Sequence, residues 1–143
     1  MEILIKNSQT IPVNQDRLRK TAQKLLLAQG CPETSEVSVL LTDDAEITVL
    51  NRNYLGKDRP TDVISFYQAE KPEERGDILG DVVISVETAK RQADERGKSL
   101  DDELDLLLAH GILHLLGYTD YTEEEARQMQ ELAAQVIGQE AAR

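Results

Sequence analysis

The chain of 143 residues is poor in the features that mark exported and membrane proteins. Its single cysteine, Cys31, excludes an internal disulfide, and its position between Gly30 and Pro32 is typical of an incidental residue in a turn. No apolar stretch is long enough to span a bilayer, and no basic segment followed by an apolar one stands at Met1. We therefore expect neither export nor membrane insertion, and we expect a cytoplasmic protein.

Aromatic residues make up only 3% of the chain, and tryptophan is absent. The hydrophobic content of 40% still suffices for a true core, although few aromatic side chains are available to fill it. No internal repeat or linker divides the sequence. We therefore expect one domain over residues 1–143.

Positive charge is also scarce, since the formal net charge is −11. Phosphate binding is normally driven by cationic surface, so this balance argues against nucleic-acid binding through the overall field, and no DNA partner is expected. Any RNA must meet a local basic patch. Two groups of cations are candidates, and a solvated, mixed-charge surface is the favoured explanation of the second group. They are Arg52, Lys57 and Arg59, and then Lys90, Arg91, Arg96 and Lys98.

Histidine occurs only twice, and the two residues stand four positions apart. His110 and His114 lie in residues 109–117, AHGILHLLG, which contain no other ionisable side chain. Residues i and i+4 share one face of an α-helix, close enough for two imidazoles to bind one metal ion. Hydrogen bonding of the rings to backbone or carboxylate groups is the competing explanation. The sequence around the pair favours a metal site.

That surrounding sequence is H-x-x-x-H-x-x-G-x-x-D, which continues from the histidines to Gly117 and Asp120. Glycine permits the left-handed turn that ends a helix and reverses the chain, so Asp120 can return toward the rings as a third ligand. Metzincin peptidases use a similar geometry but place a glutamate directly after the first histidine, where this chain has Gly111. Alternative third ligands are Tyr118, Tyr121 and Glu123, although packing or solvation explains each of them as well.

Three ordered blocks of the sequence resemble the YbeY family of rRNA maturation endoribonucleases. Residues 110–120, HGILHLLGYTD, are similar to that family's HGxLHLxGYDH. Leu50 and Asn51, followed by residues 56–66, GKDRPTDVISF, resemble its LNxxYRGKDxPTDVLSF block. The third block is LGDVVIS at residues 79–85. Together they cover most of the chain, so the resemblance is specific.

The resemblance implies a single-strand-specific endoribonuclease that matures the 3′ end of small-subunit rRNA and takes part in ribosome quality control. It implies one divalent metal ion held by His110, His114 and Asp120, with zinc preferred and nickel or manganese as alternatives. His114 and Arg59 are the expected catalytic residues, Arg59 by stabilising charge on the phosphate. Ribosomal RNA and small-subunit proteins are the implied partners.

The chain departs from the family pattern at two functional positions. Asp120 stands where the family has a third histidine, and Leu55 stands where it has an arginine. An aspartate lowers the charge of the metal centre by one relative to imidazole, and the lost arginine removes a planar phosphate-binding group. Arg59, Arg52 or Lys57 can substitute for it. Two other functions therefore stay open, a non-catalytic ribosome-associated metal-binding protein and, less favoured, a zinc peptidase.

The remaining pattern predicts an α+β domain, in which a four-stranded mixed sheet is flanked by helices and a central helix carries the metal. Strands are predicted at residues 2–6, 37–41, 63–66 and 81–85, with a polar loop containing Pro72 and Gly76 between the last two. Helices are predicted at residues 14–29, from a Thr42 cap to Tyr54, from a Ser99 cap to about residue 116, and at residues 123–138.

Overall fold

The computed structural model describes residues 1–68 and 76–138. Within these ranges the chain forms four strands and five helices. In chain order they are β1 (Glu2–Asn7), α1 (Gln15–Ala28), β2 (Glu36–Thr42), α2 (Asp44–Leu55), β3 (Val63–Tyr67), β4 (Ile78–Ser85), α3 (Val86–Arg96), α4 (Leu100–Leu115) and α5 (Glu123–Ile137).

The four strands form one mixed sheet in the order β1-β2-β4-β3. Strands β1, β2 and β4 run parallel, and β3 pairs antiparallel with β4, with Ser65 opposite Val82 and Tyr67 opposite Gly80. Strand β3 is therefore an edge strand, and it is formed by the last residues of the second family-like block and by Tyr67. This arrangement confirms the predicted α+β class and the four-stranded mixed sheet.

Alternation along the strands builds a core on each face of the sheet. The larger core contains Val39, Leu41, Val82 and Ile84 and is completed by α1, α3, α4 and α5. A smaller cluster on the other face joins Ile47 of α2 to the strand residues that point the opposite way, Ile64 and Val83. Among the described helices, α2 thus packs on one face of the sheet, and the histidine-bearing helix packs with the other helices on the opposite face.

Helix α4 is the centre of the larger core and contacts α1, α3, α5, β3 and β4. Its first turn is capped by Ser99, whose Oγ accepts a hydrogen bond from the Asp102 backbone amide. Leu104, Leu108 and Ile112 are fully buried, as expected of a helix that is apolar nearly all round. The predicted central helix is confirmed.

Most element bounds agree with the predictions to within one residue, and two differences matter. Asp43, not Thr42, caps α2, because Thr42 is buried at the end of β2 and pairs with Ser85 across the sheet. Strand β4 begins at Ile78, three residues earlier than predicted. The predicted polar loop falls mostly at residues 69–75, outside the described residues, as do residues 139–143 of the predicted single domain. Among the described helices, none has the length and apolar character that crossing a membrane requires.

Candidate active site

Helical register places His110 and His114, hereafter the histidine pair, on neighbouring turns of α4. The Nε2 atom of His110 is buried and has no hydrogen-bond partner among the described residues. Burial and the nearby His114 lower the pKa of His110, although the carboxylates of Asp62 and Asp120 oppose the shift. His110 is therefore neutral at pH 7, the form in which imidazole ligates a metal.

The turn that ends α4 fixes the second ring. Gly117 adopts a φ of +102°, and the Tyr118 amide donates to the Leu113 carbonyl at 3.0 Å, so the chain doubles back beneath the helix. The Tyr118 carbonyl then lies 3.0 Å from Nδ1 of His114. Because a carbonyl can only accept, Nδ1 carries the proton and Nε2 keeps a free lone pair. Metal-ligating histidines commonly have this second contact.

The reversal also brings Asp120 to the histidine pair. Its Oδ2 lies 3.8 Å from Nε2 of His114, too far for a direct hydrogen bond. Bonds of about 2.0–2.2 Å from zinc to nitrogen and oxygen place two ligands of one ion roughly 3–4 Å apart, so the separation suits a shared ion. Within the described ranges, no three histidine, cysteine or carboxylate groups are already gathered around one point. Asp120, with 54% of its side chain exposed, would have to adjust to complete the set.

The alternative third ligands are placed differently. The Tyr118 hydroxyl donates to the Gln29 side chain at 2.8 Å, so packing between α4 and α1 accounts for it. Tyr121 is 87% exposed, and Glu123 lies in the first turn of α5, where an acid suits the helix dipole. The unpaired nitrogen of His110, the second ring nitrogen of His114 and the Asp120 carboxylate are donor types that fit zinc, provided that Asp120 moves to complete the set.

Two further charged residues act on His110, and the spacing of the histidine motif does not predict either of them. The carboxylate of Asp62 influences the pKa of His110 while accepting hydrogen bonds from the Val63 amide at 2.7 Å and the Gln92 side chain at 3.3 Å. The guanidinium of Arg96, at the end of α3, has the opposite effect. Arg96 is held 2.7 Å from the fully buried carboxylate of Glu103. Only the family-like block containing Asp62 signals either residue in the sequence.

Of the predicted phosphate-binding residues, Arg52 lies in the last turn of α2, and Lys57 and Arg59 lie on the loop that follows. Gly56 ends that helix at a φ of +72°, and Leu55 is its exposed last residue. The Arg59 carbonyl accepts from the Asn51 side chain at 2.9 Å, which fixes the backbone of the loop. Among the described residues, no hydrogen bond or ion pair engages the exposed Arg59 guanidinium. Arg52, by contrast, pairs with Asp58 at 3.3 Å.

Gly111 is explained by packing of α4 on the sheet. A Cβ at this position would lie 2.5 Å from Cγ1 of Val82 and 3.3 Å from Oγ of Ser65. The Ser65 hydroxyl donates to the Gly111 carbonyl at 2.8 Å. The position that carries a glutamate in metzincin peptidases is therefore filled by the sheet, and no observation favours a peptidase.

Comparison with known proteins agrees with the resemblance found in the sequence. The family model described as endoribonuclease YbeY matches residues 3–140. A curated endoribonuclease YbeY from Pelotomaculum thermopropionicum is 49% identical over 125 residues, which cover 85% of this chain and 82% of the relative. The protein of the same name from Aquifex aeolicus is 48% identical over 129 residues, covering 87% and 83%. The solution structure of a Thermotoga maritima protein matches with a TM-score of 0.66 and 26% identity, over 95% of this chain and 89% of that one.

Proposed function

Since the chain belongs to the endoribonuclease YbeY family, we propose that it is a metal-dependent endoribonuclease that cuts single-stranded RNA. We assign it to maturation of the 3′ end of small-subunit rRNA and to ribosome quality control in the cytoplasm. The names of the relatives support the reaction. The histidine pair supports the metal dependence.

The observation that carries the proposal is the buried, unpaired Nε2 of His110 beside the lone pair of His114. These two atoms and the Asp120 carboxylate would hold one divalent ion, with zinc preferred. When bound, the ion supplies Lewis acidity toward a phosphodiester oxygen. The Tyr118 carbonyl keeps the His114 ring in the tautomer that can bind, and Asp62 keeps negative charge close to His110.

Arg59 is the proposed contact to a phosphate oxygen. Its guanidinium is exposed on a loop whose backbone is fixed by Asn51, and its neighbour Arg52 is paired with Asp58. A permanently charged planar group at this loop compensates for Leu55, which cannot bind phosphate. Substrate recognition should also involve the 2′-hydroxyl, the group that distinguishes RNA from DNA. Small-subunit ribosomal proteins are the proposed protein partners, because a net charge of −11 gives the chain little overall attraction for RNA.

Cleavage of a labelled single-stranded RNA oligonucleotide tests the proposal. The zinc-supplemented protein should cut it, and chelator or His114→Ala should abolish cutting. Arg59→Ala should reduce the rate about 10- to 1,000-fold, as expected when one charged donor to the reacting phosphate is removed. Lys6→Ala is a matched control because Lys6 is an exposed cation on β1, an edge strand separated from β3 by the two inner strands.

A DNA oligonucleotide of the same sequence should remain intact. If the metal-loaded protein cuts neither nucleic acid while chelation unfolds it, the metal has a structural role and the nuclease proposal is wrong. Cutting that persists in His114→Ala would instead show that the histidine pair is not the active site.

A further inference from the structure

Two exposed tyrosines lie beside the histidine pair and are not used by the proposed chemistry. Tyr67 ends β3 and is 54% exposed, and Tyr121 follows Asp120 and is 87% exposed. The described residues contain one aromatic ring contact, and it joins Tyr54 to Phe66. Neither tyrosine takes part in that contact, so each ring keeps a large part of its surface open to solvent.

Strand geometry places Tyr67 on the α4 side of the sheet. Ser65 donates to the Gly111 carbonyl of α4, and Tyr67, two residues further along β3, projects from the same face. Tyr67 is opposite Gly80, where a Cβ would lie 3.0 Å from a methyl group of Leu115. Tyr67 thus stands beside the last turn of α4, next to the end that carries His114.

Tyr121 belongs to the segment that follows α4 and returns toward its C-terminal end. Its neighbour Asp120 lies 3.8 Å from His114. Partial burial raises the pKa of Tyr67, and the phenol of Tyr121 raises it further, as two acidic groups do when they are close together. Tyr67 and Tyr121, hereafter the tyrosine pair, are therefore two exposed aromatic side chains at the C-terminal end of α4, and their rings are not in contact with each other.

We propose that the tyrosine pair stacks on a nucleobase of single-stranded RNA whose phosphodiester lies at the histidine pair. This inference rests on the proposed function and adds a binding site for bases to it. Single-stranded RNA is recognised by stacking of its splayed bases on aromatic side chains, because every base has a π face.

The negative net charge of the protein increases the importance of base stacking for RNA binding. A net charge of −11 repels the RNA backbone, so electrostatic attraction contributes less than in a basic protein. Stacking does not depend on net charge, and one stacked base increases affinity about tenfold or more. Binding should accordingly depend on the bases and only weakly on salt.

A tryptophan probe makes the inference testable, because the chain has no tryptophan. In zinc-supplemented Tyr121→Trp, stopped-flow fluorescence should show quenching on mixing with oligouridylate, before any turnover. An abasic oligomer with the same number of phosphates should quench little. Adding Tyr67→Leu should weaken the affinity for oligouridylate about tenfold, and adding Tyr67→Phe should leave it unchanged because the ring is kept.

Tyr54→Leu is the matched control, since Tyr54 is 67% exposed but packs on Phe66 with the α2 cluster. It should leave the affinity unchanged. Absence of quenching, equal quenching by the abasic oligomer, or an unchanged affinity in Tyr67→Leu would each overturn the inference. The two proposals fail separately: RNA that is cut without quenching refutes the tyrosine pair alone, and quenching without cutting refutes the nuclease alone.

Discussion

At the scale of single residues, the two histidines have different surroundings. The Nε2 atom of His110 is buried and has no hydrogen-bond partner among the described residues. The ring of His114 is oriented by the Tyr118 carbonyl of the following turn. A buried polar atom without a partner destabilises a protein unless something binds it. The unpaired Nε2 of His110 is therefore costly to the folded protein, and a bound ion would remove that cost.

The replacement of a family histidine by Asp120 gives the first prediction. Asp120→His should retain metal more tightly, because imidazole restores the third nitrogen ligand of the family pattern. Competition with a zinc chelator measures the retention. Thr119→His is the matched control, because it adds a histidine one position away, where the native hydroxyl is bonded to Glu125 at 2.8 Å.

Retention in Asp120→His that is equal to or weaker than in the native protein would count against Asp120 as a ligand. If both variants retained metal more tightly by the same amount, any histidine added nearby would suffice. The result would then not identify position 120 as the third ligand.

At the scale of elements, the contact of α4 with the sheet depends on Gly111. Gly111→Ala should destabilise the protein by about 1 kcal/mol, because overpacking against Val82 costs about 1–3 kcal/mol and the better helix propensity of alanine returns up to about 1 kcal/mol. Urea unfolding measures the difference. In a Val82→Ala background the clashing methyl groups are absent, so the same substitution should cost less. A cost that is unchanged in that background would refute the packing explanation.

Helices α2 and α3 are joined through Asp44, which accepts hydrogen bonds of 2.6 Å from the hydroxyls of Ser85 and Thr88 and lies 2.9 Å from Arg91. Burial alone would raise the pKa of Asp44, but these three partners outweigh it and lower the pKa below its ordinary value of 3.8. The ionised carboxylate therefore stabilises the fold above that pH, and the contribution is lost as the pH falls through the lowered pKa.

Asp44→Asn should accordingly be less stable by about 1–2 kcal/mol at pH 7, with the difference shrinking below about pH 4. Unfolding in urea across this pH range measures it. Asp43→Asn is the control, since it removes the same charge while asparagine keeps the N-cap of α2. A difference between Asp44→Asn and the native protein that stays constant down to pH 2 would contradict the assignment.

The sequence predicts elements well where a local signal defines them. Gly117, Gly138 and the Ser99 cap mark helix ends in the sequence, and the structure has them there. The predicted helix cap at Thr42 is wrong because its β-branched side chain also suits a strand, and Thr42 pairs with Ser85 in the sheet. The approach of Asp62 and Arg96 to His110 depends on how β3, α3 and α4 pack, which no local pattern encodes.

At the scale of the whole molecule, the core does not depend on the proposed metal. Helix α4 is held by three helices and two strands, and the histidine pair occupies only the part of it near its exit turn. Removal of the metal should therefore leave the fold intact and lower its stability only by the lost binding energy.

A ligand at a hundredfold excess over its dissociation constant stabilises the folded state by about 2.7 kcal/mol. For a chain of this size, chelation should then lower the Tm by about 10 °C while the far-UV circular dichroism at 25 °C stays the same. His114→Ala is the control and should show no shift on chelation. Loss of the helical signal at 25 °C would identify a structural metal.

The most direct test of the proposed metal site is elemental analysis of the protein purified without a nickel column and then dialysed in the presence of zinc. A zinc site at the histidine pair predicts one zinc per native chain and almost none in His110→Ala or His114→Ala, with both variants folded. A native protein that retains no metal, or variants that retain as much as the native protein, would contradict it.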